Sequence, residues 1–279
     1  MGSMEIQQES DAIDAGAVER AVELLAISGP LTWLPVTGST NQMALEAAQG
    51  GARRGIWVAD EQTAGRGRGG HSWHSTRGDG LYVTVLVTPE LPLDRALWLS
   101  LATGLAAQQA ILATTGIGID LRWPNDLLCG ARKLGGILVE SSVANPPSTA
   151  PAWLRYAVLG VGINVHHRSF PPEIASVATS LQLEGVEKVS RQALLIAFLR
   201  ALDRELDELD REYAGLGSGA SLLTRFSEAS SWVRGKRVQV PEEGGYTGLT
   251  AGLDARGFLV VDDDDGTQRT VLSGGVREL

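Results

Sequence analysis

Cysteine is nearly absent: Cys129 is the single thiol in 279 residues. No internal disulfide can form, so the chain reads as one from a reducing, cytoplasmic compartment. Its place on a short apolar stretch favours a buried thiol over a nucleophile. A basic excess is missing too: 24 Lys and Arg face 33 Asp and Glu, for a formal net charge of -9. That field argues against a general nucleic-acid binder. No apolar run is long and unbroken enough for a membrane span. The longest, Leu97 to Leu112, is interrupted by Ser100, Thr103, Gly104, Gln108 and Gln109, and reads as a buried helix. The first residues do not read as a signal peptide, and Ile6 stands where a myristoylation signal wants Ser or Thr. What is present is 43% hydrophobic and 20% charged residues, the balance of a globular enzyme with one large domain and one small one.

Periodicity predicts the elements. Asp14 to Ser28 has helical spacing and stops at Gly29-Pro30; Gln42 to Ala48, Leu93 to Thr114, Arg191 to Leu209 and Ser218 to Ser230 are further helices. Strands are expected at Leu31 to Val36, Ile56 to Glu61, Leu81 to Val87, Leu121 to Trp123, Leu127 to Cys129, Leu134 to Ser141 and Tyr156 to Val165. Asn145 to Pro151 reads as an exposed loop. After Ser231 the pattern changes to short strands with glycine turns: Arg237 to Val240, Tyr246 to Leu253, Phe258 to Asp262 and Thr267 to Leu272. These suit a small SH3-like barrel. Asp262 to Asp265 reads as a solvated hairpin turn, its spacing being wrong for a calcium loop. The expected fold class is α+β, with a mixed, mostly antiparallel sheet, flanking helices and a C-terminal SH3-like β-barrel. The expected division is 1–29 as tail and helix, 30–230 as catalytic domain and 231–279 as barrel.

Three segments carry chemistry. Gly65-Arg66-Gly67-Arg68-Gly69-Gly70 matches G-x-G-x-x-G, but the next element is a strand, so the dinucleotide reading fails. No Gly-Lys-Ser/Thr follows, so it is not a Walker A loop. What remains is a cationic loop from Ala64 to Asp79 that could close over an anion, or an ordinary flexible loop. Trp73 within it is either a loop anchor or a lid for an aromatic base. On the strand Tyr156 to Val165, one face carries Val158, Gly160, Gly162 and Asn164. A sheet face stripped of side chains can receive a flat ligand on bare backbone, or mark a barrel corner or bulge. Lys133 leaves a tight turn, precedes Leu134-Gly135-Gly136, and has Asn125 and Asp126 nearby across the expected hairpin. A surface lysine is the common case, but this setting aims an ammonium at bare backbone. His71 and His74 lack a third ligand at metal spacing.

In order along the chain, Gly38-Ser39-Thr40-Asn41, Gln62-Thr63-Ala64-Gly65-Arg66-Gly67-Arg68, Arg122-Trp123-Pro124-Asn125-Asp126, Arg132-Lys133-Leu134-Gly135-Gly136-Ile137-Leu138-Val139-Glu140 and Gly160-Val161-Gly162-Ile163-Asn164-Val165 resemble the motifs of biotin–protein ligases. The resemblance is close from Leu31 to Val165 and extends in outline to the barrel. It implies that biotin, ATP and Mg2+ yield biotinyl-5′-AMP and pyrophosphate. The biotinyl group then passes to a lysine on the biotin carboxyl-carrier domain of an acyl-CoA carboxylase. By the same resemblance, Ser39, Thr40, Asn41 and Gln62 would recognise the ureido ring and neighbouring polar atoms. Gly67 would lie against biotin, with Gly135, Gly136, Gly160 and Gly162 as floor under the fused ring. Arg66, Arg68, Lys133 and Mg2+ would neutralise the reacting anions, with Asp126 orienting Lys133 or a metal-bound water. Trp73, Asn125 and Asn164 would face the adenylate, and no residue is assigned to a metal. Two departures stand out: Gly69-Gly70-His71 replaces arginines seen in bifunctional members, and the segment before Gly38 has no room for a winged helix-turn-helix. Specific DNA binding is therefore not expected, nor a membrane; a monomer or weak homodimer is. The rival readings are a lipoate or octanoate ligase of the same superfamily, and a non-catalytic adenylate-sensing module, which would require a lost lysine or loop.

Overall fold

The structure, a computed structural model, describes residues 11–144, 152–186, 188–217, 219–241, 244–272 and 275–279. The expected loop at 145–151 lies outside them.

Alternation of apolar residues builds one large sheet. Its strands are β1 (Leu31–Leu34), β2 (Gly55–Ala59), β3 (Gly80–Val87), β4 (Asp120–Arg122), β5 (Asp126–Cys129), β6 (Arg132–Val143) and β7 (Leu154–Asn164). They lie in the order β1-β2-β3-β7-β6-β5-β4. β1 runs parallel to β2 and every other pairing is antiparallel. Both faces are covered, so β3 and β7 are almost wholly buried. On one face, helix α2 (Thr40–Gln49) packs Ala44 and Ala48 against Trp57, Leu86 and Val158. On the other, Val58, Val85 and Leu159 meet the core shared with α3 (Ala96–Thr115) and α4 (Arg191–Tyr213).

Helix α3 is apolar all round because it is the central core helix. Among the described helices the stretch Leu93–Thr115 alone is long and apolar enough to cross a membrane, and most of it is buried here. Leu99, Leu101 and Ile111 are fully buried, each contributing about 1.5–3 kcal/mol by transfer from water. One polar joint crosses this layer. Glu205 of α4, 3% exposed, accepts from Gln109 of α3 at 2.7 Å and from Arg225 of α5 (Leu222–Ala229) at 2.6 and 2.8 Å.

Helix α1 (Ala15–Val22) starts where Asp14 accepts from the Ala17 N–H, and its Val18 and Val22 enter the main core. It ends earlier than its spacing predicts. Leu25 N–H bonds back only to Val22 and Ser28 N–H to Leu25, single turns in place of helical bonds. Helix α5 likewise starts only after its N-cap Ser221.

The C-terminal unit is a five-stranded antiparallel sheet, β11-β10-β9-β8-β12. Its strands are β8 (Arg234–Val240), β9 (Tyr246–Leu253), β10 (Leu259–Asp263), β11 (Gln268–Val271) and β12 (Arg277–Glu278). Val238, Val240, Leu259, Val261 and Val271 fill it. Of the acidic run, Asp264 and Asp265 form the β10–β11 turn while Asp262 and Asp263 end β10, with one further correction. Asp263 is 7% exposed, not solvated, and is ion-paired to Arg269 at 2.6 Å.

Candidate active site

Antiparallel pairing brings the glycines together. Gly136 on β6 sits opposite Gly162 on β7, and Leu138 opposite Gly160. A Cβ on Gly160 would lie 2.0 Å from Asn41 Oδ1, and one on Gly162 2.4 Å from the Trp73 indole nitrogen. These two glycines are required by close approach: neighbours occupy the space a side chain would need.

Above this floor, the turn into α2 supplies a polar rim. Gln62 Oε1 accepts from the Thr40 N–H at 2.9 Å and from the Thr40 hydroxyl at 3.1 Å. Asn41 donates to the Leu138 carbonyl and to Glu140, both at 3.1 Å, and its Oδ1 accepts from the Thr84 hydroxyl at 2.7 Å. Ser39, Thr40 and Asn41 are all buried. Thr84 was not foreseen as a site residue. Its signal is a short hydroxyl on the face that Tyr82 and Leu86 share in a buried strand, which must find a polar partner.

The cationic segment folds over the floor as a small hairpin, with Arg66 bridged to Ser72. Gly69 and Gly70 form its tip at φ 63° and 80°, a left-handed backbone in which arginine would be strained. Arg66 is ion-paired to Glu140 at 2.8 Å. Arg68 donates to Asn125 Oδ1 at 3.1 Å, while Asn125 Nδ2 donates to the Ile137 carbonyl at 3.0 Å. Trp73 lies on the glycines, its indole N–H buried and without a hydrogen-bond partner. With the indole there, the cleft keeps only about 50 Å³ of cavity, room for a few waters at about 10–15 Å³ each.

Lys133 is pinned through its backbone: its N–H donates to the Val177 carbonyl at 2.7 Å, and its carbonyl accepts from Thr179 at 2.9 Å. Its ammonium meets Asp126 Oδ1 at 2.5 Å and lies 5.6 Å from the centre of the Trp73 ring. The other oxygen of Asp126 accepts from Arg122. The cluster of two cations and one carboxylate therefore keeps one net positive charge at the cleft edge.

One cleft thus gathers Ser39, Thr40, Asn41 and Gln62 on the rim, Arg66, Gly67, Arg68 and Trp73 from the hairpin, and Asn125, Lys133, Gly136, Gly160 and Gly162 from the sheet. Two residues expected in it lie elsewhere. Gly135 is one strand position from Gly136, so its open side faces Leu127 in the core. Asn164 is 4% exposed and donates to the Thr179 carbonyl at 2.9 Å; it braces the segment that pins Lys133 and does not line the cleft. Trp73 lies on the floor expected for the fused ring. His74 packs on His167 and Phe170, and no cluster of His, Cys, Asp and Glu suited to a metal occurs among the described residues. Cys129 is half-buried, and burial with Glu184 nearby raises its thiol pKa, opposite to what a nucleophile needs.

Comparison with known proteins places the chain in a family. Residues 33–164 match the Biotin/lipoate A/B protein ligase family, and 234–276 match the Biotin protein ligase C terminal domain. The chain is 32% identical over 242 residues to the "Bifunctional ligase/repressor BirA" of Bacillus spizizenii, covering 86% of this chain and 71% of that one. It is 35% identical over 247 residues to the "Biotin--[acetyl-CoA-carboxylase] ligase" of Mycobacterium tuberculosis, covering 86% and 85% respectively. The solved biotin protein ligase from Aquifex aeolicus in complex with biotin and ATP superposes with a TM-score of 0.72 at 29% identity, over 90% of this chain and 100% of that one. With both family domains in order, over the same two-part fold, the chain belongs to the biotin protein ligases.

Proposed function

We propose that this chain condenses biotin with MgATP and transfers the biotinyl group to a lysine of a carboxylase carrier domain. The observation that carries this reading is the Lys133 ammonium, fixed at the edge of a glycine-floored cleft beneath a two-arginine hairpin.

In the first half-reaction a biotin carboxylate oxygen bonds to the α-phosphorus of ATP and pyrophosphate leaves. Both partners are anionic. Lys133 would contact the carboxylate and the developing charge, with Arg66 and Arg68 closing over the phosphate side. Arg66 and Arg68 now rest on Glu140 and Asn125, polar partners that an incoming anion replaces. Magnesium enters with the nucleotide as part of the substrate. Asp126 is occupied by Arg122 and Lys133, and a metal held mainly by phosphates and water needs no protein cage. In the second half-reaction the carrier amine attacks the acyl carbon and AMP leaves. Since the Trp73 indole lies on Gly136 and Gly162, a fused ring can take that floor only if the hairpin shifts.

The test is intact-mass measurement of an apo carrier domain incubated with this protein, MgATP and either biotin or lipoate. A mass gain of one biotinyl group with biotin alone is expected. No gain sinks the reading, and a gain with lipoate alone turns it towards the rival acid. Lys133→Ala should lower biotin-dependent pyrophosphate release by on the order of a hundredfold, the scale of one lost charge-stabilising donor.

A further inference from the structure

Beyond the cleft, a chain of charge contacts runs from Lys133 into the C-terminal barrel. Asp126 divides its carboxylate between two cations, Oδ1 to Lys133 at 2.5 Å and Oδ2 to the Arg122 fork at 2.5 and 3.1 Å. The guanidinium of Arg122 lies 5.3 Å from the ring centre of Trp232, at the entrance to the barrel. Trp232 is 5% exposed and carries a second cation, Lys236 of β8, at 4.9 Å; Lys236 is paired with Glu278 of β12 at 2.6 Å. The strand that bears Arg122 is held by the same segment. Ser230 donates to the Leu121 carbonyl, Ser231 bonds Asp120 through its N–H and hydroxyl, and the Trp123 indole donates to the Gly257 carbonyl in the barrel.

We propose that Arg122 and Trp232 are positioning residues for Lys133, through which the barrel sets the aim and the free charge of the reacting ammonium. The proposal rests on the ligase reading of the cleft. Its physical content is twofold. An arginine fork stacked on an indole face is a rigid support for a carboxylate, and that carboxylate fixes where the ammonium points. Arg122 also takes half of the Asp126 charge. Without it, Asp126 and Lys133 would form a neutral pair, and the field on a substrate anion would fall.

Steady-state pyrophosphate release by the full chain with biotin and MgATP tests this, using Arg122→Met, Arg122→Lys, Trp232→Leu and Trp232→Phe. Arg122→Met should lower kcat by on the order of tenfold to a hundredfold, as small misplacement of a catalytic group does, with KM for biotin within about twofold, because the ureido rim is untouched. Arg122→Lys should fall between it and the wild type, since charge returns without the fork. Trp232→Phe should stay near wild type, because an aromatic face remains, while Trp232→Leu should lose about fivefold in kcat. Double substitution of Arg122→Met with Trp232→Leu should lose little more than Arg122→Met alone. The proposal is overturned if Arg122→Met keeps wild-type kcat, if its loss appears in KM, or if Phe and Leu at 232 behave alike. Should Trp232→Leu fail to fold, the two Arg122 variants decide. A wild-type protein that releases no pyrophosphate in response to biotin would instead sink the ligase reading itself.

Discussion

At the scale of single residues, the cleft depends on what two glycines leave out. A methyl on Gly160 would stand 2.0 Å from Asn41 Oδ1. Asn41 could give way only by leaving the Leu138 carbonyl, Glu140 and Thr84. Gly160→Ala should therefore cost about 1–3 kcal/mol in denaturant unfolding and weaken biotin by on the order of tenfold in calorimetry. Gly118→Ala, where a Cβ meets nothing within 4 Å, should leave binding unchanged. Equal affinities for the two variants would remove Asn41 from the recognition rim. The same strand shows what sequence reading can reach. Alternation identifies 160 and 162 as one bare face, because period two needs no tertiary knowledge. It does not decide which of Gly135 and Gly136 shares that face; that depends on the β6–β7 register, which sets Gly136 opposite Gly162 and Gly135 opposite Ile163. Nor does it reveal that Asn164 is drawn off by Thr179, a partner from a segment without regular structure.

At the scale of elements, the tip of the hairpin is held over the cleft by Arg66 on Glu140 and Gln42, Arg68 on Asn125 and the indole on the floor, whereas the return limb is tied down by Ser75 to Gln62, Thr76 to Tyr82, and Asp79 to Val165 and His166. Arg66 is 43% exposed at its side chain, so its ion pair is worth at most about 1 kcal/mol. Displacing the tip alone therefore costs little, which suits the proposed cover. Arg68→Gly removes the anchor to Asn125 and one of the cations. The expected result is a release rate for biotinyl-adenylate raised about tenfold or more, the worth of one hydrogen bond to a charged group, with labelling of lysines on bystander proteins. Retained adenylate and unchanged carrier selectivity in that variant would show that the hairpin does not guard the intermediate. Most elements were legible because each carries an apolar period of its own, as α4 does over its 23 residues. β12 was not: two exposed residues pair with β8, and nothing in their sequence distinguishes them from coil.

At the scale of the whole molecule, one buried ring ties the hairpin to the core and should make stability fall in mild acid. His167 is 1% exposed, its ring nitrogens have no hydrogen-bond partner, and it stacks on Phe170 at 5.0 Å with His74 at 5.7 Å. Burial, reinforced by His74 and His166 and opposed by Asp79, pushes its pKa from 6.5 down to about 4. The sign follows from proton counting. Between pH 6.5 and 4 the unfolded chain binds a proton at this position that the folded chain refuses, so unfolding is favoured as pH falls. The contribution is complete above pH 6.5 and drains away towards pH 4. From pH 7 to 5, the wild type should lose about 1–2 kcal/mol more than His167→Phe, which keeps the stack without the proton site. Urea unfolding of both proteins at each pH measures the difference. Parallel losses would mean that the ring is already charged, or hydrated, in the native state.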